Sequence, residues 1–157
     1  MKMCVQRVIT PDGVLENTSL TIENGVIVAI EPVGSEPVQA GTLIPGYFDT
    51  QVNGGGGVLF NQQPDAASLD KLARAHLRFG TTSMLPTLIT DGEPAMARAA
   101  DAIAEVIADD HPTIVGVHFE GPFLNVAKKG VHEAGFIRHP KDSELAILSR
   151  QDLGRVL

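Results

Sequence analysis

Disulfide chemistry is the first thing this sequence lacks. Its 157 residues hold one cysteine, Cys4. There is no pair to oxidise, so a cystine scaffold is excluded and a reducing compartment fits. Cys4 sits in an apolar amino-terminal run and reads as a small buried hydrophobe rather than a nucleophile. Positive charge is also scarce. Twelve Lys and Arg stand against 19 Asp and Glu, a net charge of −7, which argues against nucleic acid and anionic membranes as main partners. An anionic small substrate stays open, because it needs only a local basic patch. No apolar run reaches the roughly 18 residues of a membrane span. The amino terminus lacks the charged-then-apolar order of a secretory signal, and the chain reads as cytoplasmic. The glycine run at Gly54 to Gly57 is not G-x-G-x-x-G and lacks the G-K-[ST] of a P-loop.

What is present suits a globular protein. Hydrophobic residues make up 43% and charged residues 20%, and the length supports one ordinary domain with a real core. The stretch that organises the chain is Val115 to His132, VGVHFEGPFLNVAKKGVH. A short apolar run breaks at Gly121-Pro122 and leaves one carboxylate, Glu120, where a strand should end. Barrel enzymes present metal ligands and catalytic groups at that end of their strands.

The rest of the chain surrounds this feature in order. Cys4 to Thr10 is β-rich and stops at the turn signal Pro11-Asp12-Gly13. Ser19 to Ile30 reads as a hairpin around Asn24-Gly25, and Glu31 to Gly41 as a loop. Residues 1 to about 43 thus form a small sheet layer. From Leu43 an apolar segment turns polar at Asn53. Asp65 to Phe79 carries Leu69, Leu72, Ala73 and Leu77 at helical spacing, with Gly80 as C-cap. Thr81 to Ile89 is a second strand, with Pro86 marking its end or a bulge. Asp91 caps a helix whose apolar face is Met96, Ala99, Ile103, Val106 and Ile107. Thr113 to Phe119 is a third strand, and Ser143 to Leu148 opens a third helix. Strand, helix, strand, helix, strand is the α/β rhythm of a parallel sheet, each strand apolar on both faces. At most three βα units are present, and a closed (β/α)₈ barrel needs roughly 250 residues.

Several side chains fall where chemistry would sit. Gln51 and Asn53 are two apart and share a face of the pleat. Carboxamides ligate divalent metals poorly but hydrogen-bond water or substrate well; they could equally cap the strand. A carboxylate at a buried strand end needs a partner, so Glu120 is read as a metal ligand, with a structural salt bridge as the alternative. His118 reads as a satisfied core histidine. Lys128-Lys129-Gly130-Val131-His132 is a basic loop that could meet a sugar hydroxyl or phosphate through His132; its two lysines read as solvated. Gly54 to Gly57 reads as a turn without a ligand. His76, His111 and His139 read as structural or exposed.

Taken jointly, LIPGYFDTQVNGGGGVLFN, TTSMLPTLIT and GVHFEGPFLNVAKKGVH resemble the amino-terminal portion of the N-acetylglucosamine-6-phosphate deacetylase family of the amidohydrolase superfamily. The resemblance is strongest over 43–63 and 113–138. It implies that residues 1–43 are the amino-terminal part of a β-sandwich domain. Residues 44–157 would be the first part of a metal-dependent, TIM-like barrel. By the same resemblance Glu120 matches the metal-ligating glutamate, and Gln51 and Asn53 match the pair that replaces His-x-His in the single-metal branch. His132 and the backbone of Val131 match the substrate-contacting loop. The implied cofactor is a divalent metal, Zn²⁺. The implied reaction removes the acetyl group from N-acetylglucosamine 6-phosphate, a small-molecule partner, in amino-sugar catabolism. A homodimer is implied for the full-length protein.

The family's two further ligands, both histidines, and its acid/base aspartate are expected beyond Leu157. One carboxylate cannot hold a catalytic zinc that needs three protein ligands, so these 157 residues alone are expected to be inactive. Two other readings remain: a related amidohydrolase with another substrate, which would want His-x-His near position 51, and a non-catalytic module that binds a sugar phosphate or a partner chain.

Overall fold

Asn24 and Gly25 take φ of 50° and 78°, the left-handed pair that a two-residue hairpin turn demands. They join β2 (Gly13–Glu23) to β3 (Val26–Pro32), and Pro11-Asp12 joins β1 (Lys2–Thr10) to β2. The hairpin is thus longer than the alternation at Leu20 to Ile30 suggests. A fourth strand, β4 (Ala40–Leu43), lies parallel to β1, giving the order β3-β2-β1-β4. A computed structural model describes residues 1–157, apart from the side chain of Ala40. The chain divides into two compact units, Met1–Pro45 and Gly46–Leu157. In the first, Val5, Val8 and Leu20 form a small core. Cys4 is 3% exposed, as a small buried hydrophobe should be.

The second unit is α/β. Its sheet has the order β10-β9-β8-β5 and is parallel throughout. β5 is Tyr47–Val52, and the short pair β6 (Gly54–Gly55) and β7 (Val58–Leu59) follows it. The helix α1 (Ala66–Leu77) leads to β8 (Thr81–Ile89), α2 (Glu93–Ala108) and β9 (Gly116–Glu120). Then come α3 (Asp142–Leu148) and β10 (Arg155–Val156). The helices follow from periodicity: Leu69, Leu72 and Ala73 of α1, and Met96, Ala99, Ile103 and Val106 of α2, are buried. With Met84, Leu88 and Val117 from the strands and Ile114 just before β9 they make one core. At about 25 cal/mol per Å² of apolar surface, that burial is the main stabilising contribution.

Four expectations are corrected, and one pair of alternatives, at Pro86, is decided. Gly80 is not the cap of α1; Arg78 is, and Gly80 turns the chain two residues later at φ 95°. Asp91 does not cap α2. Gly92 is the N-cap, and the Asp91 carboxylate instead takes the Gly92 N–H at 2.7 Å and the Asn61 amide at 3.0 Å. Of the two readings of Pro86, a strand end is excluded, since β8 runs on to Ile89, and a local irregularity is what the ladder shows. β5 shifts register between Asp49 and Val52 opposite the proline, so the missing N–H falls in an irregular part of the ladder. β5 is not apolar and covered on both faces, since its Tyr47 and Phe48 are 56% and 51% exposed at the sheet edge. A fourth parallel strand, β10, pairs with β9 where three were counted.

Candidate active site

The parallel strands β5, β8 and β9 deliver their carboxyl ends to one place. There a cavity of about 270 Å³ is lined by Gln51, Asn53, Leu59, Asn61, Ile89, Glu120 and Val131. Glu120 is the last residue of β9 and stands in register with Ile89, the last of β8. The chain leaves β9 through Gly121 at φ 95° and a cis Gly121-Pro122 bond. The following loop returns over the strand end by two 3₁₀ turns, Val126–Lys128 and Ala134–Phe136.

The return brings His132 onto Glu120. Nε2 of His132 lies 3.4 Å from Oε1 of Glu120, and the imidazole is 8% exposed. From the opposite side Asn53 donates through Nδ2 to Oε2 of Glu120 at 3.5 Å, the long end of a hydrogen bond. Among the described residues no arginine or lysine pairs with Glu120, and its ion-pair contact is the one with His132. Gln51 lines the same cavity, and among the described residues its carboxamide has no protein partner. The Val131 side chain is 91% exposed at the rim. Its N–H has no acceptor among the described residues and is free to meet a ligand. Of the residues singled out in the sequence, Gln51, Asn53, Glu120 and Val131 line this cavity, and His132 reaches it through its contact with Glu120.

Other expected residues fall elsewhere. Nδ1 of His118 is 3.4 Å from the Thr87 hydroxyl, one pleat repeat below Glu120. His111 is structural, its Nδ1 accepting from Thr113 and Ile114 N–H at 3.2 and 3.1 Å. His76 bonds the Gly54 carbonyl at 3.0 Å. The glycine run is a tight turn laid on α1: a Cβ at Gly55 would stand 2.7 Å from Nε2 of His76. The two lysines part company. Lys128 is exposed, but Lys129 donates through Nζ to the carbonyls of Gly130 and His132 at 3.3 and 3.2 Å, closing the loop rather than standing in solvent.

Three supporting groups escaped the sequence reading. Asn61 returns both its amide hydrogens and its oxygen to the end of β8: Nδ2 donates to the Ile89 carbonyl at 3.1 Å and to Asp91, and Oδ1 accepts the Ile89 N–H at 3.0 Å. Thr90 lies beneath His132, with Oγ1 2.8 Å from Nδ1. Arg138 donates to the Asp91 carbonyl at 3.0 Å and is paired with Glu144. Thr90 could have been found from its place at the end of a strand, the same rule that marks Glu120. Asn61 and Arg138 carry no local signal, since their partners lie 28 and 47 residues away.

As a metal centre the arrangement is incomplete. Glu120 is a suitable oxygen donor and His132 a nearby imidazole, but among the described residues no three His, Cys, Asp or Glu side chains gather to hold an ion. A catalytic zinc needs three protein ligands, so these residues do not by themselves fit the metal.

The model of the amidohydrolase family matches residues 42–154. The chain is 42% identical to an N-acetylgalactosamine-6-phosphate deacetylase of Shewanella sp. strain ANA-3, over 94% of this chain and 40% of that protein. It is 33% identical to an N-acetylglucosamine-6-phosphate deacetylase of Haemophilus influenzae, over 82% of this chain and 36% of that protein. Its fold is similar to the crystal structure of N-acetylglucosamine-6-phosphate deacetylase from Pasteurella multocida, with a TM-score of 0.83 and 32% identity, over 94% of this chain and 41% of that one. The chain therefore spans about 40% of the length of the first of these relatives.

Proposed function

The chain belongs to the amidohydrolase family, and we propose that it supplies the amino-terminal part of an enzyme that hydrolyses the acetamide of an N-acetylated amino-sugar 6-phosphate. The products are the free amino-sugar phosphate and acetate. The observation that carries this reading is that Gln51, Asn53 and Glu120 line one cavity at the carboxyl ends of parallel strands, with Asn53 and His132 both on the Glu120 carboxylate. The names of the relatives support the substrate class.

Glu120 would supply one ligand to a divalent metal, Zn²⁺, together with ligands from the rest of the enzyme. Amide hydrolysis requires a polarised carbonyl and an activated water, the chemistry a bound divalent metal supplies. Asn53 and Gln51 hydrogen-bond water or substrate, and His132 with the Val131 N–H orients the sugar. The net charge of −7 suits a small-molecule substrate held locally better than nucleic acid or a membrane surface. The full-length protein is read as a cytoplasmic homodimer.

Two sugars compete. The 42% identity to the protein named for N-acetylgalactosamine favours the C4 epimer of the sugar expected from the resemblance. Acetate release from both N-acetylhexosamine 6-phosphates is the test, with this chain alone and with a polypeptide that carries the whole barrel. Turnover by the longer protein and none by the 157 residues is expected. Turnover by this chain alone, or none by the longer protein with either sugar, overturns the reading.

A further inference from the structure

The carboxamides of Gln51, Asn53 and Asn61 all line the cavity, but the amide of Asn61 is already spent. Its Nδ2 donates to the Ile89 carbonyl at 3.1 Å and to Oδ2 of Asp91 at 3.0 Å, and its Oδ1 accepts the Ile89 N–H at 3.0 Å. An amide nitrogen has two hydrogens. Both are used, so Asn61 has none to give a ligand. The orientation is forced, because a reversed amide would set Nδ2 against the Ile89 N–H and Oδ1 against the Asp91 carboxylate. One side chain thus takes both main-chain groups of Ile89, the task of a neighbouring strand. The strand that would perform it has stopped pairing: the register of β5 with β8 ends at Val52 and Pro86.

These bonds close a ring. Phe60, the residue before Asn61, is buried and donates its N–H to the Asn53 carbonyl at 2.9 Å. Asn61 then clasps Ile89, and Ile89 stands in register with Glu120. Glu120 meets the Asn53 side chain at 3.5 Å, which returns the path to its start. We propose that Asn61 is a positioning residue: by standing in for a strand beside Ile89, it sets the distance between Asn53 and Glu120. Side chains that hold a site in place without touching a ligand act in this way. The value of this placement for turnover rests on the deacetylase reading; the placement itself does not.

Two variants test it. Asn61→Asp keeps the size but turns lone pairs on the Ile89 carbonyl and the Asp91 carboxylate. Asn61→Ser has one oxygen in place of the two-atom fork, and it decides the matter where the aspartate variant does not fold. In the ¹⁵N-labelled chain, the side-chain amide resonances of Asn53 are identified by their loss in Asn53→Ala. They are expected to shift in both variants, and amide exchange at Ile89 to quicken about tenfold. In a polypeptide carrying the complete barrel, each variant is expected to lower kcat about tenfold or more. Unmoved Asn53 resonances or a parental kcat overturn the proposal. An effect confined to KM does so too, because it would make Asn61 a substrate contact. Where the unsubstituted longer protein turns over neither sugar, the deacetylase reading falls and the Asn53 resonances still decide the placement.

Discussion

Glu144 is completely buried, and the Arg138 guanidinium donates to its Oε1 through Nε at 2.6 Å. The same carboxylate accepts the Lys141 N–H at 3.0 Å, and Arg138 reaches on to the Asp91 carbonyl at the end of β8. Arg138 therefore fastens the loop that carries His132 to α3 through the ion pair and to the turn after β8 through the Asp91 carbonyl. Removing one partner of a buried pair leaves an uncompensated charge. Arg138→Ala is expected to destabilise the second unit by about 3 kcal/mol or more. The midpoint of urea unfolding measures this; a loss within about 0.5 kcal/mol, typical of a neutral surface change, would show that the pair is not needed.

Acid should weaken the same tie. Burial pushes the Glu144 carboxyl up, but the Arg138 guanidinium and the Lys141 N–H outweigh it and hold it below the ordinary glutamate range. A carboxylate with a lowered folded-state pKa stabilises the fold above its unfolded value, about 4.3. That contribution is lost as pH falls through this value toward the folded pKa. The thermal midpoint should therefore drop below about pH 4.3, with a shallower slope in Glu144→Gln. The slope should not vanish, because Arg74 and Arg150 also hold Asp70 and Asp152 low. An unchanged slope in the variant would assign the acid response to other groups.

Thr87 bridges two strands where their ladder is interrupted. Its side chain is fully buried, and Oγ1 accepts the Val52 N–H at 2.9 Å, beside the register shift between Asp49 and Val52. Thr87→Val keeps the shape and orphans that N–H, at a cost of about 1–3 kcal/mol. Faster amide exchange at Val52 than at residues within the β8–β9 ladder is the specific sign. Protection equal to the parent's would mean that the N–H finds another acceptor.

In a polypeptide carrying the complete barrel, Glu120→Gln is expected to lower acetate release on the order of 100-fold or more, since changing even the partners of a metal ligand costs 10–100-fold. Bound metal, measured by elemental analysis of the dialysed protein, should fall with it. Full metal content and full rate in the variant would remove Glu120 from the chemistry.

How much of this was readable beforehand follows from the range of each interaction. Local chemistry was legible. Asn24-Gly25 marks its hairpin, and the spacing of Leu69, Leu72 and Ala73 marks α1. Glu120 and the Gln51/Asn53 pair were visible because a polar residue ending an apolar strand is conspicuous. Asp91 was misread for a physical reason. Its composition suits a cap, but Asn61, 30 residues earlier, competes for the carboxylate. β10 is two residues long and too short to show any period. Glu144 drew no reading from the sequence, and only its burial against Arg138 reveals a tie.

The hairpin of β6 and β7 is fixed at both ends, by His76 on the Gly54 carbonyl and by Asn61 on Ile89. That side of the cavity is already frozen before anything enters it. Ordering entropy on association then falls on the opposite rim, where Val131 stands 91% exposed. Selectivity between closely related guests should therefore be adjusted by changing the yielding lip, whereas alterations to the stiff one would act on stability and guest affinity together.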